Sequence, residues 1–104
     1  MNPQVTFDQN HIADFCQRWK VTELALFGSI LLQDFGPDSD VDVLISFDPT
    51  ADWNLWNLVE MKSELEEIFE RQVDLVTRRA IERSENRIRR DAILQSAVTV
   101  YGSR

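Results

Sequence analysis

Cysteine, histidine, glycine and proline are all scarce in this sequence. There is one cysteine, Cys16, and one histidine, His11. A lone cysteine excludes an internal disulfide, and one Cys with one His cannot build a Cys/His zinc site. Only three glycines and three prolines punctuate 104 residues, which excludes Pro/Gly-rich low-complexity chains. No long hydrophobic run is present. The longest uncharged apolar stretch, 24–32, is interrupted by Gly28 and Ser29 and is too short to cross a bilayer, so no membrane association is expected. Residues 1–8 have neither the basic start nor the apolar run of a signal peptide, so a cytoplasmic location is expected. Basic residues are few: 11 against 18 acids, a net charge of −7. That balance argues against direct binding of nucleic acid, whose phosphates must be neutralised by Lys and Arg.

What is present fits one globular domain spanning residues 1–104. Hydrophobic residues make up 43% and charged residues 28%, enough to bury a core without staples. Charge is unevenly placed. Residues 1–70 carry 14 acids and 3 bases, whereas residues 71–104 carry 8 bases and 4 acids.

Periodicity predicts a first helix from about Phe7 to Lys20, opened by a Thr6/Gln9 capping box and burying Ile12, Phe15, Cys16 and Trp19. Glu23–Phe27 reads as a short strand ending at Gly28-Ser29, and Ile30–Asp34 as one or two helical turns. Gly36-Pro37-Asp38-Ser39 and Asp48-Pro49-Thr50 read as turns. Val41–Phe47 is the clearest strand, with Val41, Val43 and Ile45 on one face. A long helix from about Trp53 to Glu70 is expected, capped by Asp52 and burying Leu55, Leu58, Val59, Leu65, Ile68 and Phe69. Glu64, Glu66, Glu67 and Glu70 are expected on its wet face. Val73–Val76 is a third strand, Thr77 can cap the Arg-rich segment after it, and Val98–Tyr101 is a last extended piece. The expected fold is α/β (α+β): a small mixed sheet covered by helices mainly on one face.

Asp40 and Asp42 stand two apart at the entry to a strand, so they share a face about 6.5–7 Å apart. Val41, Val43 and Ile45 claim the other face for the core. Two like charges held together invite a cation. Asp74 lies in the next strand, where it can join the pair, and three such carboxylates can hold two hard divalent ions for phosphoryl or nucleotidyl transfer. An Asp-x-Asp pair alone is common, and aspartates at strand ends often cap turns or face water. Gly28-Ser29 sharpens the pattern, since Gly permits close backbone approach and Ser offers a hydroxyl and N–H groups to phosphate. It stands ten residues before Asp40-Val41-Asp42.

Leu26-Phe27-Gly28-Ser29, Ser39-Asp40-Val41-Asp42-Val43-Leu44-Ile45 and Val73-Asp74-Leu75-Val76 together resemble the three signatures of the minimal nucleotidyltransferases (MNT) of the polymerase-β-like superfamily. The resemblance runs from the first helix to Val98-Thr99-Val100-Tyr101. It implies a polymerase-β-like nucleotidyltransferase fold and an antitoxin of the HEPN/MNT type. Such an antitoxin transfers AMP from ATP to a tyrosine of a partner HEPN-domain ribonuclease toxin. It further implies that Gly28 and Ser29 hold the nucleotide's phosphates, that Asp40 and Asp42 bind two Mg²⁺ ions, and that Asp74 binds the catalytic ion and helps deprotonate the attacking hydroxyl. One departure stands out. The family commonly places a small residue, an Arg and a Gly after Gly-Ser, whereas here Leu32 occupies the Arg position.

Two rival readings follow: a catalytically weak or inactive antitoxin that neutralises by binding alone, and a transferase acting on a small molecule. The second usually needs an additional helical domain. At least one of Arg78 and Arg79 is expected to reach the nucleotide or the acceptor and so replace the missing phosphate contact. If residues 78–91 form one helix, Arg79, Arg83, Arg87 and Arg90 line one face within about 80°. That face could be merely solvated or could meet an acidic partner, and Ser84-Glu85-Asn86 could break it. Trp53 and Trp56 are read as packing residues, with an interface role for Trp56 as the alternative. Tyr101 is either a packing residue or a partner contact.

Overall fold

The computed structural model describes residues 7–28 and 40–102. Among them the chain runs α1 (Gln9–Arg18), β1 (Val21–Phe27), β2 (Val41–Phe47), α2 (Leu55–Phe69), β3 (Val73–Thr77), α3 (Arg78–Glu82), α4 (Arg87–Ser96) and β4 (Val98–Gly102). The strands form one four-stranded sheet in the order β3-β2-β1-β4. β1 pairs antiparallel with both β2 and β4, and β2 pairs parallel with β3. The expected mixed sheet is therefore present.

Alternation divides the sheet cleanly. Leu24, Leu26, Val41, Val43, Ile45 and Val73 point to the face covered by α1 and α2, where Ile12, Phe15, Cys16, Met61, Leu65 and Phe69 complete the larger core. Ala25, Phe27 and Leu44 point the other way, against Ile81 of α3 and Ile93 of α4. This second, smaller cluster gives the sheet a partial cover on its other face.

Helix ends differ from the sequence reading because side chains compete for the capping positions. The Asp8 carboxylate accepts the Asn10 N–H at 2.8 Å, so Asp8 caps α1, while Thr6 of the expected Thr6/Gln9 box lies outside the described residues. Gln9 instead donates its side-chain amide to the Val100 carbonyl at 3.0 Å, tying α1 to the sheet's β4 edge. In α2, Asn54 and Asn57 exchange side-chain-to-backbone hydrogen bonds, a full capping box that displaces Asp52 from that role. The buried stripe of α2 is Met61, Leu65 and Phe69, with Leu58 and Ile68 at its margin. Leu55 and Val59, expected inside, are 72% and 51% exposed. They lie round the helix from the Met61, Leu65 and Phe69 stripe, on a face turned away from the core. Trp56 is 75% exposed, so it is not a packing residue. Trp53 is: its ring meets Trp19 edge to face at 5.1 Å, and its indole N–H donates to the Trp19 carbonyl.

Glu64 and Glu66 also leave the expected wet face. Glu64 accepts the Trp19 indole N–H at 2.6 Å and an Arg18 guanidinium N–H at 2.7 Å, pinning α1 to α2. Residues 78–91 do not form one helix. α3 ends at Glu82, Arg83 caps it, and Asn86 opens α4 by accepting the Arg89 N–H. The four-arginine face therefore does not exist as a single helical surface. Thr77 caps α3 as expected, accepting the Ala80 N–H at 3.2 Å.

Candidate functional site

Three sequence signals meet at one end of the sheet. Parallel pairing of β2 with β3 sets Asp42 opposite Asp74, and antiparallel pairing of β1 with β2 sets Phe27 opposite Asp42. Asp42 and Asp74 are the second residues of their strands, so both point away from the larger core. Strands lie about 4.8 Å apart, so the two carboxylates are close neighbours. Gly28 follows Phe27 with φ +75°, a conformation that favours glycine. A Cβ placed on Gly28 would overlap the Asp42 carboxylate. Gly28 is therefore needed twice, for its backbone and for the space that Asp42 fills.

Asp40 stands exposed, one residue before β2. Asp42 is half-buried, and Asp74 is exposed. Ser29 lies outside the described residues, as do the expected Ile30–Asp34 helix, Leu32 and the Gly36 turn. Among the described residues, no three or more Asp, Glu, His or Cys side chains gather as a ready-made metal cluster. A hard ion such as Mg²⁺ is held by one or two carboxylates plus substrate phosphates, so a pair on one rung meets that chemistry without a closed cage.

The start of β3 carries a contact that sequence reasoning missed. The Val41 N–H donates to the Gln72 carbonyl at 2.9 Å. The next atom along the same peptide unit, the Val73 N–H, donates to the Glu66 carboxylate at 3.0 Å. Lys62 lies 3.4 Å from the same carboxylate oxygen. The Val73 hydrogen bond, with lesser help from Lys62, holds the Glu66 carboxyl below its ordinary range. No local pattern marks Glu66 for this role, since its partner lies beyond the end of its own helix.

The lowered Glu66 value has a signed consequence. A carboxyl whose folded value is depressed contributes stability above its unfolded value and loses it as pH falls through the folded one. The stability difference between the parent chain and Glu66→Gln should therefore be present at neutral pH and shrink on acidification below about pH 4, near the ordinary Glu value. Urea melts across that range check it, and a difference that grows with acid would reverse the assignment.

The arginines expected to reach the phosphates stand elsewhere. Thr77 pairs with Ile45, three residues along β3 from Asp74, about 10 Å at strand rise. Arg78 follows it and is held by Glu23 at 3.2 Å and Glu82 at 3.1 Å. Arg79 lines a groove of about 420 Å³ at that far end, with Phe47, Asp48, Trp53, Leu58 and Thr77 among its walls. The expectation of phosphate contacts from Arg78 and Arg79 is thus corrected: Arg78 is taken by ion pairs, and both lie at the end of β3 away from Asp74. Cys16 is buried on α1, and burial pushes its thiol up to about 12, so it is inert at neutral pH. No helix of the described residues is long and apolar enough to cross a membrane.

Comparison with known proteins agrees with this fold. A family model described as "Nucleotidyltransferase domain" matches residues 9–103. The protein adenylyltransferase MntA of Thermococcus cleftensis is 31% identical over 71 residues, which span 68% of this chain and 70% of that protein. A toxin–antitoxin crystal structure with AMP-PNP superposes with a TM-score of 0.69 at 19% identity, covering 93% of this chain and 75% of the other. A complex of a Shewanella oneidensis tri-AMPylated HEPN toxin with its MNT antitoxin superposes with a TM-score of 0.60 at 20% identity, covering 91% and 70%.

Proposed function

This chain belongs to the nucleotidyltransferase-domain family, and from that we propose that it is a Mg²⁺-dependent antitoxin. Acting as a single domain in the cytoplasm, it transfers AMP from ATP to a tyrosine of a HEPN toxin. The observation that carries the reading is the rung on which Asp42 faces Asp74, with Gly28 closed over Asp42. Named relatives support the chemistry: MntA is a protein adenylyltransferase, and an MNT antitoxin is found with an AMPylated HEPN toxin.

In this reading the tyrosine oxygen attacks the α-phosphorus of ATP. A new P–O bond forms, the α–β phosphoanhydride bond breaks, and diphosphate leaves. Asp74, the more exposed carboxylate of the rung, takes the hydroxyl proton. Asp40, Asp42 and Asp74 would supply hard oxygen donors to the metal, and Gly28 with Ser29 would bring backbone close to the phosphates. Mg²⁺ bound there would offset phosphate charge and orient the leaving group.

One observation favours the rival, neutralisation by binding alone. Leu32 stands where the family commonly has Arg, and Arg78 is committed to Glu23 and Glu82. Fewer cations then remain for the triphosphate. Incubation of the chain and its HEPN partner with Mg²⁺ and ATP labelled at the α or the γ phosphate separates the two. Label on the toxin from α-labelled ATP only, with loss of toxin activity, is the expected result. Neutralisation at equimolar ratio without label would favour binding alone.

A further inference from the structure

The Gln72–Val73 peptide unit is gripped at both ends. Its carbonyl accepts from the Val41 N–H, between Asp40 and Asp42, and its N–H donates to Glu66 of α2, immediately before Asp74. β3 is an edge strand of five residues. An outward N–H on such an edge ordinarily meets water, and a short edge strand slides or frays easily. Here a carboxylate anchored on a fifteen-residue helix takes that N–H, with Lys62 beside it. The same helix is fixed in the main core by Met61, Leu65 and Phe69. A rigid line therefore runs from the core, through Glu66, to the peptide that sets Asp74 against Asp42.

We infer that Glu66 is a positioning residue that holds Asp74 at the height on the sheet where it shares a metal with Asp42. The inference rests on the proposed nucleotidyl-transfer site and adds a residue outside its sequence signatures. Glu66 touches neither nucleotide nor acceptor; it acts through the Val73 N–H. The hydrogen bond, rather than the charge, is the working part. Gln keeps an oxygen that can accept from Val73, whereas Ala does not. The Lys62 ion pair is half-exposed, with side chains 49% and 32% accessible, so its removal should matter little.

The test uses the full chain with Mn²⁺ as a paramagnetic probe, read by amide signals of residues 41–43 and 73–75. Glu66→Ala should weaken Mn²⁺ broadening there by about tenfold in concentration, as expected for losing one hydrogen bond. Glu66→Gln should recover binding to within about threefold, and Lys62→Met should behave like the parent. The Val73 amide should exchange faster in Glu66→Ala while amides of β1 stay protected. With partner and ATP, kcat should fall and the KM for ATP should hold. Equal Mn²⁺ broadening in parent and Glu66→Ala would overturn the positioning role and leave the proposed site standing. Failure of Gln to rescue would also overturn it, by making the charge the working part. No broadening at Asp42 or Asp74 in the parent would remove the site itself, and this inference with it.

Discussion

Replacing Asp42 by Asn should reduce AMP transfer by about a thousandfold while leaving the melting temperature within a few degrees of the parent. The size follows from what a metal-bound carboxylate contributes, several kcal/mol of transition-state stabilisation, at about 1.4 kcal/mol per tenfold in rate. The small structural cost follows from the rung. Asp42 pairs across from Asp74, and like charges on adjacent strands disfavour each other. Asn keeps the volume that Gly28 leaves for this side chain and removes one of the two charges. Asp74→Asn should match it in transfer, because it removes the proton acceptor. Affinity for the HEPN partner should be unchanged in both. Thermal melts without metal, transfer assays and partner titrations on the same samples check the set. A fall of more than about 10 °C, equivalent to a couple of kcal/mol in a domain this size, would make Asp42 a structural residue.

The candidate residues of the proposed site were readable in the sequence, and the geometry that brings Gly28, Asp42 and Asp74 together was only half so. Strand β2 declares itself, because Val41, Val43 and Ile45 alternate and all three are fully buried. That alternation alone puts Asp42 on the opposite face. Register is different. Nothing local says that Asp42 stands opposite Asp74 rather than one residue away, because register is set by hydrogen bonds between strands, the Val41–Gln72 bond among them, and the Val73 N–H is held by Glu66 from another element. The same limit explains Arg78. Its nearness to Asp74 in sequence suggested a role at the phosphates, but a strand carries four residues well over 10 Å, and Glu23 waits at the far end. On α2 the pattern misled in another way. Leu55 stands three residues before Leu58 and four before Val59, so all three read as stripe. The buried stripe runs through Met61, Leu65 and Phe69, and Leu55 and Val59 lie about 80° and 120° round the helix from Leu65.

Replacing Gly28 by Ala should damage both stability and transfer, and the two effects can be separated. The backbone at Gly28 has φ +75°, where an L side chain costs about 1–2 kcal/mol. That alone predicts a loss of about 5–10 °C in melting temperature. The new methyl would also overlap the Asp42 carboxylate, so the carboxylate must rotate or the strand ends must part. Transfer should then fall nearly as far as in Asp42→Asn, since the displaced group is the same one. Two double variants divide the causes. Gly28→Ala with Asp42→Asn should transfer no worse than Asp42→Asn alone, because both changes act on one carboxylate. Gly28→Ala in an Asp42→Ala chain meets only the Asp42 Cβ, 3.4 Å from the added methyl, an ordinary contact. Its stability cost should therefore shrink to the backbone part. If the cost instead stays the same in both backgrounds, crowding against Asp42 contributes nothing. Gly28 would then serve the turn alone, and its nearness to the carboxylate would have no part in holding the site.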